Sequence, residues 1–545
     1  MKRLSTIIIA SLLLPATLMA GGIVTNTNQS ASFIRMPSRD ASLNLDAAYY
    51  NPAGLSLLKD GFYLSFSNQT VLQTRTIGST FTMNRQEFEG KVMAPLFPSV
   101  YAIYKKDKVA YSLGIVPIGG GGTAGFETGL PSFEQQVAVL PAMLSAPVAL
   151  GGANIPTTQY GVNAKFDGSS LNWGFQFNAA YALSDMFSLS LGARIVTANN
   201  SYSGYLKDVM INPTYTGFNQ GGRVYAGTMV SAPQFFADGA TTLNGLAAGA
   251  TATSNGLTGL ITAGTITAAT LVSDLDAATI GAITTILGAA NISATGMNVG
   301  TAIGTLNAVA PNFTAGATRM TGFSRMTSNA EIDAEQTGMG ITPVIGVNIK
   351  VMENLNVALK YEHLTQITMT NDTDKDDVGM FPDGAKTPND MPGMISAGVA
   401  YKPISKLNVT AGYHLYLDKG ANYGKKMITP PATVAAFVDN DVVIDKDFWE
   451  AAFGVEYEVT DKILVSAGFL RTQTGVNADY QSDLSHSLST NSIGLGGRYM
   501  VMENLGVNVG FMKTMYESYT KIFTGYEETY KRDAMVFAIG LDYNF

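Results

Sequence analysis

The chain contains no cysteine. That excludes disulfides, thiolate metal sites, thiol nucleophiles and a lipidated N-terminal Cys. Charge is scarce as well: Asp, Glu, Lys and Arg make up 14% of the 545 residues, against roughly 25% in soluble domains. The net charge of −8 and pI near 5.1 give no basic footprint, so no nucleic-acid partner is expected. There are three histidines, His363, His414 and His486, expected in separate rim or loop regions. No two stand at metal-ligand spacing, and no Ser or Asp arrangement beside one is identifiable. No metal, no cofactor and no enzymatic activity are therefore expected. After Ala20 no uninterrupted apolar run reaches about 18 residues, so there is no spanning helix. The nearest, Val137 to Leu150, is broken by Pro141 and Pro147.

What is present is glycine (57), tyrosine (25) and phenylalanine (26). At the N-terminus Lys2 and Arg3 precede the apolar stretch Leu4 to Leu14, and a small residue, Ala20, precedes Gly21-Gly22. This reads as a secretory signal peptide over residues 1–20. An exported chain without a spanning helix is either a soluble secreted protein or an outer-membrane barrel.

Periodicity separates the two. Met535, Phe537, Ile539, Leu541, Tyr543 and Phe545 alternate with Val536, Ala538, Gly540, Asp542 and Asn544. That is a strand with one apolar face. Phe187, Leu189, Leu191 and Ile195 alternate with Ser188, Ser190, Gly192 and Arg194, and Leu407, Val409, Ala411 and Tyr413 with Asn408, Thr410 and Gly412. Strand cores fall at 61–69, 97–104, 109–117, 171–183, 187–197, 339–350, 354–364, 393–402, 405–417, 448–458, 462–472, 490–500, 504–516 and 534–545. Connections alternate between very short (Lys105–Lys108, Ser184–Met186, Val351–Asn354, Lys402–Lys406, Val459–Asp461, Val501–Asn504) and very long (near 118–170, 198–338, 364–392, 418–447, 473–489 and 517–533). Short turns on one rim, long loops on the other and an even strand number describe an all-β transmembrane antiparallel β-barrel of about 14 strands in a Gram-negative outer membrane. The string VMENL occurs twice, at 351–355 and 501–505. Both copies read as short-rim turns in which Asn354 and Asn504 take the turn dihedrals, with no binding role. Arg194, Lys360, Glu362, Glu450, Glu456 and Arg498 fall on the polar face, which points inward.

Residues 21–58 show no strand alternation but carry Phe33, Ile34, Met36, Tyr49, Tyr50 and Leu55. Such a segment predicts a plug inside the barrel, with the wall and its loops occupying 59–545. Asn51-Pro52-Ala53-Gly54 reads as an N-cap followed by Pro at the first helical position.

The stretch RMPSRDASLNLDAAYYNPAGLSLL, Arg35 to Leu58, resembles the N-terminal hatch of the FadL-type outer-membrane transporters of long-chain fatty acids and other hydrophobic compounds. The resemblance covers the whole mature chain in architecture and residue types only around 35–58. It implies a 14-stranded barrel and a hatch, with the Asn-Pro-Ala at Asn51, Pro52 and Ala53. It implies passive transport, in which a hydrophobic ligand lodges among outer loops, moves to a pocket against the hatch, and leaves sideways where the third strand kinks. The implied partners are a fatty acid or hydrocarbon, outer-membrane lipid and lipopolysaccharide, with the chain a monomer. A non-specific diffusion porin or a surface-binding barrel is the alternative.

Pro117, Gly119, Gly120, Gly121 and Gly122 are the lateral-gap candidate, because Pro removes a ladder donor and Gly weakens pairing; the other reading is the top of a strand entering a loop. Phe133, Val137, Leu140, Met143 and Leu144 are the ligand-groove candidate; the other reading is a self-packed loop. The insertion at 198–338, Ala/Gly/Thr-rich over 238–318, reads as a packed cap or a partly disordered segment. Asp372 to Asp377 places acids at alternate positions but has Asp377 where a calcium loop needs Gly, so solvation is the favoured reading.

Overall fold

The computed structural model describes residues 26–81, 84–146, 154–427 and 435–545. The signal peptide lies outside the described residues, as do Ile23, Val148 and Leu150.

Among the described residues fourteen antiparallel staves form the wall. They are β1 (Gly61–Ser79), β2 (Glu87–Lys106), β3 (Val109–Phe126), β4 (Tyr160–Ala182), β5 (Phe187–Ile211), β6 (Ala330–Met352), β7 (Leu355–Glu362), β8 (Gly393–Ile404), β9 (Leu407–Leu417), β10 (Phe448–Glu458), β11 (Ile463–Gln473), β12 (Thr490–Met502), β13 (Leu505–Tyr516) and β14 (Tyr526–Asn544). Each pairs with its neighbours in sequence, and β1 closes the barrel on β14 from Tyr63↔Asn544 to Ser79↔Glu528. The stave begun by β7 resumes at Thr368–Asp376, paired to the upper part of β6.

The period-two pattern has the expected consequence. Phe537, Ile539 and Leu541 face outward and exposed, while Ala534, Val536 and Ala538 are buried inside. Phe177, Tyr181, Leu191, Ile345, Leu359, Tyr413, Phe453, Phe469, Leu495 and Val509 continue the apolar exterior around the circumference. An apolar belt of this extent on a closed sheet is stable only against lipid. No helix among the described residues is long and apolar enough to cross a membrane.

Several staves run well past the limits read from apolar alternation: β3 to Phe126, β4 from Tyr160, β5 to Ile211, β6 from Ala330. Above the lipid belt the outer face meets water, so alternation fades while backbone pairing persists. Gly119–Gly122 therefore lie within the third stave rather than beyond it. In both VMENL turns the Asn has no left-handed backbone. Instead, Lys402 N donates to Asn354 O (2.8 Å) and Asn544 N to Asn504 O (2.9 Å), tying each turn to a neighbouring stave.

Beyond the long-loop rim the insertion is helical. Short helices α3 (Pro131–Ala138) and α4 (Leu140–Leu144) pack with α5 (Ala232–Thr262), α6 (Ala277–Ala289) and α7 (Val299–Met326) around one core that includes Phe235, Phe236, Leu306 and Met320. Of the two readings of the insertion, the packed cap is the one realised. Asp376 accepts the backbone N–H groups of Met380 (2.9 Å) and Phe381 (2.7 Å), and Asp377 pairs with Lys375 (3.0 Å). These acids serve loop backbone and surface charge, and among the described residues no group of three His, Asp or Glu converges on a metal position.

Candidate functional site

Residues 26–58 fill the lumen. They contain α1 (Ala31–Arg35), α2 (Ala47–Tyr50) and a 3-10 turn, Pro52–Leu57. Phe33, Ile34, Tyr49, Tyr50 and Leu55 are buried against inward-facing wall residues such as Tyr101, Val196 and Met512. A short segment can lie this close because the wall presents glycine to it. A Cβ on Gly468 would sit 2.6 Å from Pro37 Cδ and 3.0 Å from Met36 Cα. One on Gly398 would meet Asp40 Cβ at 2.6 Å, and one on Gly510 would meet Ala31 O at 2.9 Å. Gly454, Gly494, Gly496 and Gly540 complete this track, in which Gly398 pairs with Gly412, Gly454 with Gly468, and Gly496 with Gly510. A side chain at Gly398, Gly468, Gly494 or Gly510 would displace plug backbone, and one at Gly454 would meet the Met36 side chain.

The inward charges read from the polar faces hold the segment in place. Arg35 Nη1 donates to Glu456 Oε1 and Ser466 Oγ, both at 2.8 Å. Arg194 makes a two-pronged pair with Glu362 (2.6 and 2.9 Å), which Lys360 also reaches at 2.7 Å, and both cations lie over the Tyr49 ring. His414 sits between Asp40 (2.5 Å) and Glu450 (2.9 Å). The expectation that the histidines occupy only rims and loops thus fails for His414, a lumenal fastening whose partners are 374 and 36 positions away. Periodicity marks His414 as inward but carries no signal of those partners. Buried charge is tolerable only when paired, and here each pair joins plug to wall or braces a wall residue that does.

Asn51 precedes Pro52 as expected, but its side chain does not cap the turn. Asn51 Nδ2 donates to Asn348 Oδ1 on β6 (2.7 Å) and to Ser42 O (3.1 Å). The carbonyl of Ala53 accepts from Ser188 Oγ on β5 (2.9 Å). Gly54 lies against Leu43, where a Cβ would come within 2.8 Å of Leu43 Cδ2.

The wall is unzipped at one place. β2 pairs with β3 at Lys91↔Gly125 and Val92↔Ala124, and again from Val100↔Ile115 to Lys106↔Val109. Residues 93–99 and 116–123 between them are not paired with each other. Pro95 and Pro98 lack donors on one edge, and Pro117 on the other. On its far side β3 stays paired to β4 through two bulges, at Pro117/Gly119 and Gly120/Gly122. Gly120 (φ +85°) and Gly122 (φ +77°) adopt backbone that side chains disfavour, and a Cβ on Gly120 would collide with the Ser170 carbonyl. The start of the plug covers this stretch from inside: Asn26 N donates to Ile118 O (2.8 Å) and Gln29 Nε2 to Pro117 O (2.9 Å). Outside it, Met93 and Leu96 are 71% and 76% exposed, an apolar rim toward lipid.

Above the plug is a cavity of about 400 Å³. Ala94, Phe97, Gly120 and Gly122 bring both unzipped edges to it, and Val71, Phe126, Leu130, Phe166 and Val536 supply its apolar part. Arg75 and Arg532 also line it. They face each other across the β1–β14 seam, and neither has a carboxylate within ion-pair reach among the described residues. Arg532 lies over the Tyr516 ring (5.3 Å), and its Nε has no hydrogen-bond partner. His486, from the loop after β11, adds an unpartnered Nε2. Burial first, then the neighbouring Arg532 and Arg75 charges, holds this imidazole neutral, with its pKa well below the usual range. Glu450 and Asp483 also reach the cavity but are engaged, Glu450 by His414 and Tyr416, Asp483 by Ser132 N–H (2.8 Å). No sequence pattern flagged Arg75, Arg532 or His486 as a group, because three separate strands and loops supply them.

The groove candidates divide. Phe133 packs edge-on against the cavity residue Phe166 (5.5 Å). Val137, Leu140 and Leu144 are fully buried in the cap core with Met143 packed against them, so they do not form an exposed patch. The insertion, whose fold the sequence left open, is what covers them.

No protein-family model matches the chain, and no curated protein matches it. Solved structures do match it in fold. A FadL homologue of Pseudomonas aeruginosa is 12% identical over 96% of this chain and 100% of its own, with a TM-score of 0.55. The Pseudomonas putida toluene transporter TodX is 13% identical over 96% and 100%, with a TM-score of 0.51. The barrel with its lumenal plug is thus the FadL-type fold.

Proposed function

We propose that this protein is an outer-membrane transporter of long-chain fatty acids or similar hydrophobic molecules, working by passive, hatch-gated lateral diffusion. One observation carries the reading: a cavity above a plugged lumen, with apolar walls beside a cationic end, reaches the stretch where β2 and β3 are not paired with each other. A long acyl chain gains about 0.8 kcal/mol per buried methylene, so its favourable path is apolar throughout and ends in lipid. A water-filled channel would oppose it. Residues 26–58 act as the hatch, with Asn51 to Gly54 fastening it to the wall, and Pro117 with Gly119–Gly122 as the gate edge. The ligand enters from the long-loop side, lies in the cavity, and passes between β2 and β3 once Asn26 and Gln29 release the third stave. The fold matches include a toluene transporter. Arg75 and Arg532, half-buried and without a carboxylate partner among the described residues, favour a carboxylate-bearing ligand here over a bare hydrocarbon, because two neighbouring cations gain most from an anion. A diffusion porin fits poorly with a lumen occupied by a salt-bridged segment.

The absence of native cysteine makes the test clean. A Cβ on Gly122 would lie 3.3 Å from Ala94 Cβ, near the disulfide range. The double substitution Ala94→Cys, Gly122→Cys should stitch β2 to β3 under oxidation. Uptake of labelled oleate by cells should stop when the pair is oxidised and return on reduction. Uptake unchanged by complete cross-linking would place the exit elsewhere. Large steady ion conductance of the native protein in a planar bilayer would favour the porin.

A further inference from the structure

A second break in the wall lies on the far edge of the panel that carries the first. β6 pairs with β7 from Met352↔Leu355 to Val344↔Glu362, and with the resumed stave from Thr337↔Thr370 to Ile332↔Asp376. Residues 338–342 and 364–369 between them are not paired with each other. Thr365 and Ile367 turn instead to the loop before β8: Thr365 N donates to Met391 O (3.0 Å), and Ile367 O accepts from Asn389 N (2.9 Å). Gly340 makes room for this inward tuck, since a Cβ there would lie 2.6 Å from Gln366 O. Outside, Met339 and Ile341 are 67% and 62% exposed, which puts the break at the level of the lipid. Unpaired strand edges are costly at that level, so two of them call for a reason.

The two breaks share one ladder row. Val116 pairs with Gly174, Gly174 with Val196, and Val196 with Gly340. Val116 stands on the unzipped edge of β3 and Gly340 on that of β6. Between those edges the panel stays paired to its top, at Phe126↔Phe166, Tyr160↔Ile211 and Leu206↔Ala330. The panel is thus joined within itself and loose at both edges on the same row. Its edges rejoin the rest of the wall unequally: β6 over the run from Thr337 to Ile332, β3 only at Lys91↔Gly125 and Val92↔Ala124.

The cap is built on this panel. α3 and α4 connect β3 to β4, α5–α7 connect β5 to β6, and the cap core takes in Tyr160 of β4 with Val209 and Ile211 of β5. Apart from Phe81, packed at its edge, every described residue of that core falls within 137–326. Toward the rest of the wall α3 makes polar contacts: Ser132 N to Asp483 (2.8 Å), Gln135 Nε2 to Glu528 (3.0 Å), and Glu134 with Asn84 N (3.2 Å). Polar contacts exchange for water at small net cost, whereas opening an apolar core does not. The cavity lies in the same joint. Phe126, Leu130 and Phe166 line it from the panel, and Val71, Phe97 and Val536 from the fixed wall. A ligand lodged there replaces panel-to-wall contacts with its own.

We propose that the panel above this row and the cap move as one leaf, hinged where β6 rejoins the seventh stave and swinging free at β2–β3. The cap is then a handle on the lateral gate. The proposal rests on the transport reading above and says which part of the wall opens.

The native chain has no cysteine, so paired spin labels on the full-length protein in lipid nanodiscs, with and without saturating oleate, test it directly. Leu96→Cys with Thr123→Cys spans the seam on its exposed outer face. Thr251→Cys on α5 with Asp441→Cys links the cap to the loop between β9 and β10, and Thr251→Cys with Asp333→Cys on β6 lies within the leaf; all three positions are exposed. Heat-modifiable gel migration checks that each labelled barrel is folded. Oleate should lengthen the seam distance and change the cap-to-loop distance by about 5 Å or more, the strand spacing that an acyl chain must pass. The distance within the leaf should stay the same. A seam that widens while the cap-to-loop distance is unchanged means that the third stave moves by itself; that result, or a within-leaf distance that shifts as much as the cap-to-loop one, would overturn the leaf and leave the transport reading standing. No change at the seam with oleate bound would overturn the leaf and the gate together.

Discussion

Replacing Arg35 by Met tests whether ion pairs or close packing seat the hatch. The Arg35 side chain is 1% exposed, and its Nη1 meets Glu456 Oε1 and Ser466 Oγ at 2.8 Å. Met keeps much of the stem volume but leaves Glu456 buried. Its remaining partners would be Asn408 (3.0 Å) and Arg39, whose Nη1 is 3.7 Å away and whose stronger pair is with Asp46 at 2.8 Å. Breaking a buried pair on one side costs about 3–5 kcal/mol. The residual Arg39 contact argues for the lower end, about 3 kcal/mol, or roughly a hundredfold in the equilibrium between seated and unseated hatch. Hydrogen exchange of residues 26–58 should accelerate by that factor, and brief ion-conducting openings in planar bilayers should become correspondingly more frequent. Removing both charges in Arg35→Met, Glu456→Leu should restore much of the seal, because no orphaned charge remains. If the single variant keeps native exchange and a native conductance baseline, the ion pair is not what seats the hatch. The glycine track at Gly398, Gly454, Gly468 and Gly510 would then be sufficient by packing alone.

Two further outcomes follow from the outer half of the molecule. Arg532→Gln should weaken binding of oleate by about tenfold or more, the worth of a charge-assisted contact, while binding of a neutral hydrocarbon such as hexadecane stays unchanged; equal losses for both would show that Arg532 shapes the cavity rather than reading the head group. Lys425, in the loop between β9 and β10, is buried, donates to Tyr480 O (3.1 Å) and lies over the Tyr480 ring (4.3 Å), and burial pushes its pKa down to about 7. Between that value and the ordinary lysine range the opened loop binds a proton that the closed loop does not. Closure therefore strengthens as pH rises through that window, and below it the closed loop carries the full cost of a buried charge. Intrinsic-rate-corrected exchange protection of residues 474–489 should increase more than about tenfold from about pH 7.5 to about pH 9.5. Lys425→Met should flatten this dependence, and a slope that persists in the variant would assign it to another group.

The sequence by itself determined the wall. A period of two is a local property: Phe537, Ile539 and Leu541 must share a face whatever surrounds them, and alternating short and long connections then dictate an antiparallel closed sheet with two unlike rims. It also marked residues 21–58 as a plug, because their apolar residues had no strand to join and no lipid-facing period, and the described part, 26–58, lies inside. The charges at Arg194, Lys360, Glu362, Glu450 and Glu456 were legible as lumenal for the same reason. Their partners were not. Asp40 meets His414, and Arg35 meets Glu456, only because a closed barrel brings every stave within reach of one central segment, and strand periodicity does not encode which residues then touch. The same holds for the gate and the cavity. Pro117 and its glycines announce weak pairing, but the opening exists because Pro95 and Pro98 weaken the facing edge of β2 as well. The groove residues show the converse: Val137, Leu140 and Leu144 looked exposed only while the fold of α5–α7 was unknown, and a distant insertion buries them. Arg75, Arg532 and His486 became a site only in three dimensions, since each is an ordinary inward-facing or loop residue until closure of the barrel sets them around one space.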